Sequence, residues 1–252
     1  MISLKKVKQK ICPVARKEMI VDAALEIMAK QGVSALTMDK VVAQLPCSKG
    51  TVYNHFSCKE DLLIGIGDKA IAILIKLFNR AIAFEGNSRE KVLSIHLSYL
   101  IYAILHNDLF QSVVAIKSPT VYNKASSKHL ASHEALEMKL MAIFHNLIES
   151  ALADNELINA NNLNSQQISF SLWSMNFGTI ALLGEDVMCC EGRKGLEVER
   201  EYFNHNNILL DGLGWLPLQA DFDYRQTARK VLSTIFKDEV ALIAQRGRVL
   251  MF

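Results

Sequence analysis

Only four prolines occur in 252 residues, so few backbone positions are barred from helix. No stretch alternates β-branched and polar residues, which excludes an extended sheet as the main architecture. Cysteine is scarce and odd in number: Cys12, Cys47, Cys58, Cys189 and Cys190. None has metal-ligand spacing, and adjacent Cys189-Cys190 makes a poor disulfide. Buried or loop thiols are the expectation, with a redox sensor as the alternative. Nothing ahead of the first helical pattern resembles a signal peptide, so a cytoplasmic, reduced chain is expected. Long apolar runs are also missing. The longest uncharged run, residues 157–184, is filled in its first half by Asn159, Asn161, Asn162, Asn164, Ser165, Gln166 and Gln167. The next, residues 92–107, is interrupted by His96 and followed by Asp108. Neither leaves enough apolar length to span a bilayer, so both read as buried helices and no membrane partner is expected.

Catalytic signatures are absent as well. There is no phosphate-binding glycine loop, no nucleophile elbow and no H-E-x-x-H, so the chain reads as a non-enzyme. His129 and His133 have the i, i+4 spacing that can clamp a metal. No acidic or thiol partner stands at a useful spacing, and ordinary surface histidines are expected, with no metal or cofactor.

Half of the residues are hydrophobic, enough for a large helical core. Charge is unevenly placed: residues 1–62 hold ten Lys or Arg against six Asp or Glu, and the remainder is slightly acidic. Lys5, Lys6, Lys8, Lys10, Arg16 and Lys17 make a basic start. Such an arm reads as flexible and solvating, or as a phosphate or minor-groove contact. From Glu18 to Gln31, Ile20, Ala24, Ile27 and Met28 recur at the helical period, and Gly32 suits the position after a helix end. A second helix fits Met38–Leu45, with Thr37 as N-cap and Asp39 in its first turn.

The densest signal follows, from Leu45 to Phe56. Ser48 suits a third helix's N-cap, leaving free N–H groups for a phosphate with Lys49 beside them. Val52 and Phe56 share one face, flanked by Tyr53, and would pack on Ile20, Ala24 and Val41. Gly50, Thr51, Asn54 and His55 point the other way. Three short helices with a tight turn before the last compose a helix-turn-helix, whose final helix enters the major groove. A solvated amphipathic helix is the plainer alternative. Ser57 and Glu60 fit a capping box for the next helix.

Ala23-Ala24, Gly32, Thr37, Val41, the run Ser48-Lys49-Gly50-Thr51-Val52-Tyr53, His55-Phe56 and Lys59-Glu60-Asp61-Leu62-Leu63 resemble the DNA-binding domain of the TetR family of transcriptional regulators. The resemblance covers Arg16 to Leu63, about a fifth of the chain. The chain departs from the family near Val42, where a small residue is usual, and at Leu45-Pro46, in place of an Ala-Gly pair. Proline fixes φ near −65°, so a turn without positive φ is expected here. The resemblance implies DNA contacts at Thr37, Ser48, Lys49, Thr51, Tyr53, His55 and Lys59. Lys49, Tyr53 and Lys59 would hold phosphates; Gly50, Thr51 and Asn54 lie nearer base edges. His55 reads either as a contact or as a packed or solvent-facing side chain.

An all-α chain is expected: a basic arm over 1–15, the helix-turn-helix domain over 16–63 and a helical effector-binding and dimerisation domain over 64–252. Helices are placed near 58–84, 88–106, 108–117, 121–153, 165–184, 196–212 and 223–246. Asn87 with Glu90, and Asn164 with Gln167, mark two starts as capping boxes. In 165–184, Ser171, Ser174, Gly178 and Ala181 form a stripe of small side chains beside Phe170, Trp173, Phe177 and Ile180. Such a helix should face another. The resemblance implies a two-fold helical dimer, with this helix and 223–246, through Leu232 and Phe236, as its candidates; an intramolecular core helix is the alternative. It also implies an effector pocket, for which Tyr99, Tyr102, Phe110, Met138, Met141, Phe144 and Phe177 are candidates. An apolar lining would favour a lipophilic effector, though a stripe of this kind also reads as plain core. The functional expectation is a repressor released from a pseudo-palindromic operator by a small molecule. The alternative is a DNA-binding regulator that only dimerises and binds a protein partner.

Overall fold

The computed structural model describes residues 12–184 and 191–252. The cationic part of the basic arm, Lys5 to Lys10, and the pair Cys189-Cys190 lie outside the described residues. These form an all-α chain with twelve α-helices; the closest approach to a strand among them is a single antiparallel bridge between Leu157 and Trp215. The chain divides into two compact units. One takes in the chain up to Lys69 together with Ser112–His133, and the other takes in Ala70–Gln111 and Glu134–Phe252. The first unit is therefore larger than residues 16–63, because a segment some fifty residues further along packs into it.

In the first unit, α1 (Pro13–Gln31) begins earlier than the apolar period indicates, since Pro13 is well placed at a helix start. Gly32 ends it at φ +81°, its N–H bonded to the Met28 carbonyl. After a 3-10 turn at Val33–Ala35, Thr37 caps α2 (Met38–Gln44) by accepting from the Lys40 N–H. The turn through Pro46 contains no positive φ. Ser48 then caps α3 (Lys49–His55), accepting from the Thr51 N–H. Ile20, Ala24, Val41, Val52 and Phe56 are all fully buried, as the wheel of α3 requires.

The fourth helix, α4 (Lys59–Ile82), does not use the Ser57–Glu60 box. The reaching carboxylate is Asp61, whose Oδ2 accepts from the Ser57 N–H at 3.0 Å and the Ser57 hydroxyl at 2.6 Å. Because the helix starts at Lys59, its third residue is Asp61 and not Glu60. Two glycines let α4 be approached closely. A Cβ on Gly65 would lie 2.6 Å from the Phe56 ring, and one on Gly67 would lie 2.9 Å from His133. The segment 121–153 is not one helix but α7 (Pro119–Lys124) and α8 (Ser127–Ala153). Between them Ala125 is extended and Ser126 gives its N–H to Asp61 Oδ1 at 2.7 Å, a bond a continuous helix would forbid.

In the second unit, α5 (Ser88–Leu105) opens with the Asn87/Glu90 capping box and is buried nearly all round. A helix apolar on every side is a central helix, and α9 (Ser165–Leu183), α10 (Val198–Gly212), α11 (Tyr224–Thr234) and α12 (Lys237–Gln245) all pack on it. The α6 helix (Asn107–Ile116) follows α5 directly. The Asn164/Gln167 capping box starts α9 as anticipated. The expected helix over 223–246 breaks into α11 and α12 at Ile235-Phe236, where the Phe236 N–H bonds back to Val231 and its ring is fully buried. At the centre, fully buried Arg89 donates to Asp211, Asn207 and the carbonyls of Trp215 and Pro217, with Tyr224 under the guanidinium. A buried cation is tolerated only when acceptors meet most of its donors; here both terminal nitrogens are met and Nε has no acceptor among the described residues. Among the described residues no single helix is long and apolar enough to cross a membrane.

The contact of Gly65 with Phe56 makes a stability prediction. Gly65→Ala should gain up to about 1 kcal/mol of helix propensity but lose roughly 1–3 kcal/mol through overpacking. A lower urea midpoint is expected; an unchanged or raised midpoint would show that the Phe56 ring can yield.

Candidate nucleic-acid interface

Two short helices and their caps bring the predicted contact residues together in the first unit. Ser48, Lys49, Gly50, Tyr53 and Asn54 are exposed on or beside α3. Thr51 is half-buried, its hydroxyl 2.9 Å from Ser48 Oγ. Gly50 is not demanded by the fold, since a Cβ there would meet nothing nearer than Ser48 Oγ at 4.0 Å. That open space at the start of α3 suits close approach of another molecule. Thr37 is exposed at the start of α2. Lys59 stands apart in bonding: its ammonium donates to the Val33 carbonyl at 2.9 Å, so part of its hydrogen-bonding capacity serves the turn after α1.

Lys49 is not a bare cation either. Its Nζ lies 2.7 Å from Asp39 Oδ1 and 5.4 Å from the Tyr53 ring centroid. Hydrogen bonding and charge from Asp39 hold its pKa above the ordinary lysine value. Asp39 therefore does more than complement the dipole of α2. Both partners are well exposed, where solvent screens the pair, so a phosphate can displace the carboxylate. His55 is half-buried, and burial first, then the charges of Arg16, Lys128 and Lys17, hold its pKa below the ordinary histidine value. It is neutral at pH 7 and becomes a cation only on acidification.

The two histidines read as surface residues are buried instead. His129 stacks on Phe56 at 5.0 Å and bonds to the His55 carbonyl; His133 bonds Asp68 at 2.9 Å. No group of three metal-binding side chains occurs among the described residues. Sequence reading missed Asp61, Ser126 and His129 as supports of α3 and α4. Only the Ser57 capping pattern hinted at the first.

In the second unit, four of the seven pocket candidates form one aromatic chain. Tyr99 stacks on Tyr102 at 6.0 Å and meets Phe110 at 6.1 Å, and Phe110 meets Phe177 at 5.1 Å. Trp173 joins it, donating to Tyr99 Oη at 3.3 Å. Burial raises the pKa of Tyr99 and of Tyr102. Phe144 sits apart, against Phe78 and His96. Met138 and Met141 are 73% and 44% exposed, so they line no enclosed space within the chain. An open groove of about 1000 Å³ lies elsewhere, bordered by Phe222, Val240 and Leu250 with Arg229, Lys230 and Lys237.

The dimer candidates divide in the same way. On α9, Phe170 is 61% exposed and Trp173 37%. Ser174 and Ala181 are exposed beside them, and Ser171, Phe177 and Gly178 are half-buried. Leu232 and Phe236 are buried inside the unit, Phe236 beneath Arg80. Both are core residues, and Leu232 also borders the open groove on this unit. Ile208 on α10, which packs on α9, is exposed and was not anticipated.

A capped three-helix unit with a polar exposed recognition helix, followed by a larger helical unit, defines an all-α helix-turn-helix protein. Residues 20–66 match the sequence profile of the bacterial regulatory proteins of the tetR family. It is 32% identical over 84 residues to a fatty acid metabolism regulator protein of Bacillus subtilis, and 28% identical over 100 residues to an HTH-type transcriptional regulator of Staphylococcus aureus. These matches cover 32% and 39% of this chain and 43% and 54% of the relatives. Among solved structures, a tetR-family regulatory protein from Rhodococcus superposes with a TM-score of 0.59 at 16% identity, covering 80% of this chain and 98% of the other. The FadR regulator of Bacillus subtilis, solved in complex with stearoyl-CoA, superposes at 0.58 and 15% identity, covering 77% and 98%. These likenesses establish the helical fold beyond the N-terminal domain.

Two substitutions would tell a phosphate contact from a base contact if α3 binds DNA. Lys49→Ala should weaken binding to every DNA sequence and lower the salt slope by roughly one. Asn54→Ala should cost about 1–3 kcal/mol at one base position only. Uniform loss across sequences after Asn54→Ala would remove it from base reading.

Proposed function

We propose that the chain is a sequence-specific DNA-binding transcriptional regulator, a repressor that leaves a pseudo-palindromic operator when a small-molecule effector binds. The observation that carries this reading is the division of α3. Val52 is buried, with Phe56 just beyond the helix, while Gly50 and Asn54 stay in solvent beside the Ser48 cap. Small polar groups on a rigidly seated helix are what major-groove reading needs.

Two copies would pair through α9, where Phe170, Trp173 and the neighbouring small residues leave an apolar face uncovered. Paired recognition helices would read half-sites about one DNA turn apart. The effector is taken to be lipophilic, a fatty-acyl compound, acting on the aromatic chain of Tyr99, Tyr102, Phe110 and Phe177. Support comes from the apolar character of that chain and from the names of two similar proteins, a fatty acid metabolism regulator and a FadR solved with stearoyl-CoA. A ligand drives release only by binding the DNA-incompetent state more tightly. The close mutual packing of Tyr99, Tyr102 and Phe110 favours a second reading, in which the larger unit only dimerises and meets a protein partner.

Selection from random double-stranded DNA by the purified protein, repeated with and without stearoyl-CoA, tests both parts. Enrichment of a pseudo-palindrome that the acyl-CoA abolishes is expected. Sequence-blind binding would refute the regulator, and enrichment unaffected by acyl-CoAs of any chain length would favour the second reading.

A further inference from the structure

The seven-residue α3 is too short to be stable alone, and its last carbonyls have no partner within the helix. Ser48 fixes its beginning. Its end is fixed by a residue 74 positions away: the His55 carbonyl lies 2.9 Å from His129 Nε2. A carbonyl only accepts, so Nε2 carries the proton and donates. The same imidazole lies nearly flat on the Phe56 ring, with centroids 5.0 Å apart and planes at 21°. Three residues earlier, the Ser126 N–H donates to buried Asp61, which also holds Ser57. The first turn of α8 thus grips the end of α3 and, through Asp61, the start of α4.

We propose that His129 is a positioning residue for DNA recognition, setting the tilt of α3 against its own domain. This rests on the DNA-binding reading above. Base-edge hydrogen bonds tolerate displacements of only about 0.5 Å and 10–20°, whereas phosphate contacts through long lysines tolerate more. Loosening the far end of α3 therefore weakens sequence discrimination before it weakens general affinity.

Two variants divide the roles of the ring. His129→Phe keeps a flat ring on Phe56 and removes the donor; His129→Gln keeps a donor and loses the ring. Hydrogen exchange in the DNA-free protein should show faster exchange at residues 52–56 in His129→Phe, with α1 amides unchanged. Affinity for a selected operator should fall about 3–10-fold, the scale of one lost hydrogen bond. Non-specific affinity and salt slope should hold, and His129→Gln should recover part of the loss. Unchanged exchange at 52–56 in His129→Phe would overturn the proposal. So would equal loss of specific and non-specific binding accompanied by faster exchange throughout the first unit, which marks a merely structural role. If the wild-type protein shows no sequence preference, the DNA-binding reading fails, and the exchange data still decide whether His129 holds α3.

Discussion

The Asp61 carboxylate is almost fully buried, and burial alone would raise its pKa. The hydrogen bonds from Ser57 and Ser126 outweigh that effect and hold it below the ordinary aspartate value. A buried anion is costly unless every lone pair is met, so the segments that meet them are locked in place. One is the turn between α3 and α4, and the other is the break between α7 and α8. Everything proposed for α3 depends on that lock. The exposed residues Gly50 and Asn54 are useful to a ligand only if the helix that carries them is held from behind.

The second unit is organised around a buried charge of the opposite sign. Arg89 collects carbonyls from the loop after α10, a carboxylate from Asp211 and an aromatic face from Tyr224. It ties the α10–α11 connection to α5, while Phe170, Trp173 and Ile208 are exposed on α9 and α10. The aromatic chain from Tyr102 to Phe177 is closely packed. His96 nearby is fully buried, and burial drives its pKa down to about 3. It is neutral at any physiological pH and contributes no charge to this core.

Much of the recognition domain was legible because its signals are local. Caps at Thr37 and Ser48, the glycine after α1 and the 3.6-residue period of Val52 and Phe56 each act within one turn of chain. The capping boxes at Asn87 and Asn164 were found for the same reason. The Ser57 box failed by one residue, since Glu60 and Asp61 are both acidic and only the true helix start selects between them. Helix breaks at Ser126 and Phe236 were missed. Each is caused by a distant partner, a carboxylate 65 residues away or a core that takes in the Phe236 ring.

The sequence by itself determined that this chain is helical, that its N-terminal part carries a helix-turn-helix, and which residues of α3 face inward. Periodicity and capping depend on neighbours three or four residues apart, and those are written in order. Tertiary structure decided which charged and aromatic groups remain available. It paired Lys49 with Asp39, buried His129, His133, Leu232 and Phe236, and left Met138, Met141 and Phe170 in solvent. The reason is physical: whether a face of a helix is covered depends on what the rest of the chain brings against it, and that distance in space has no counterpart in distance along the sequence.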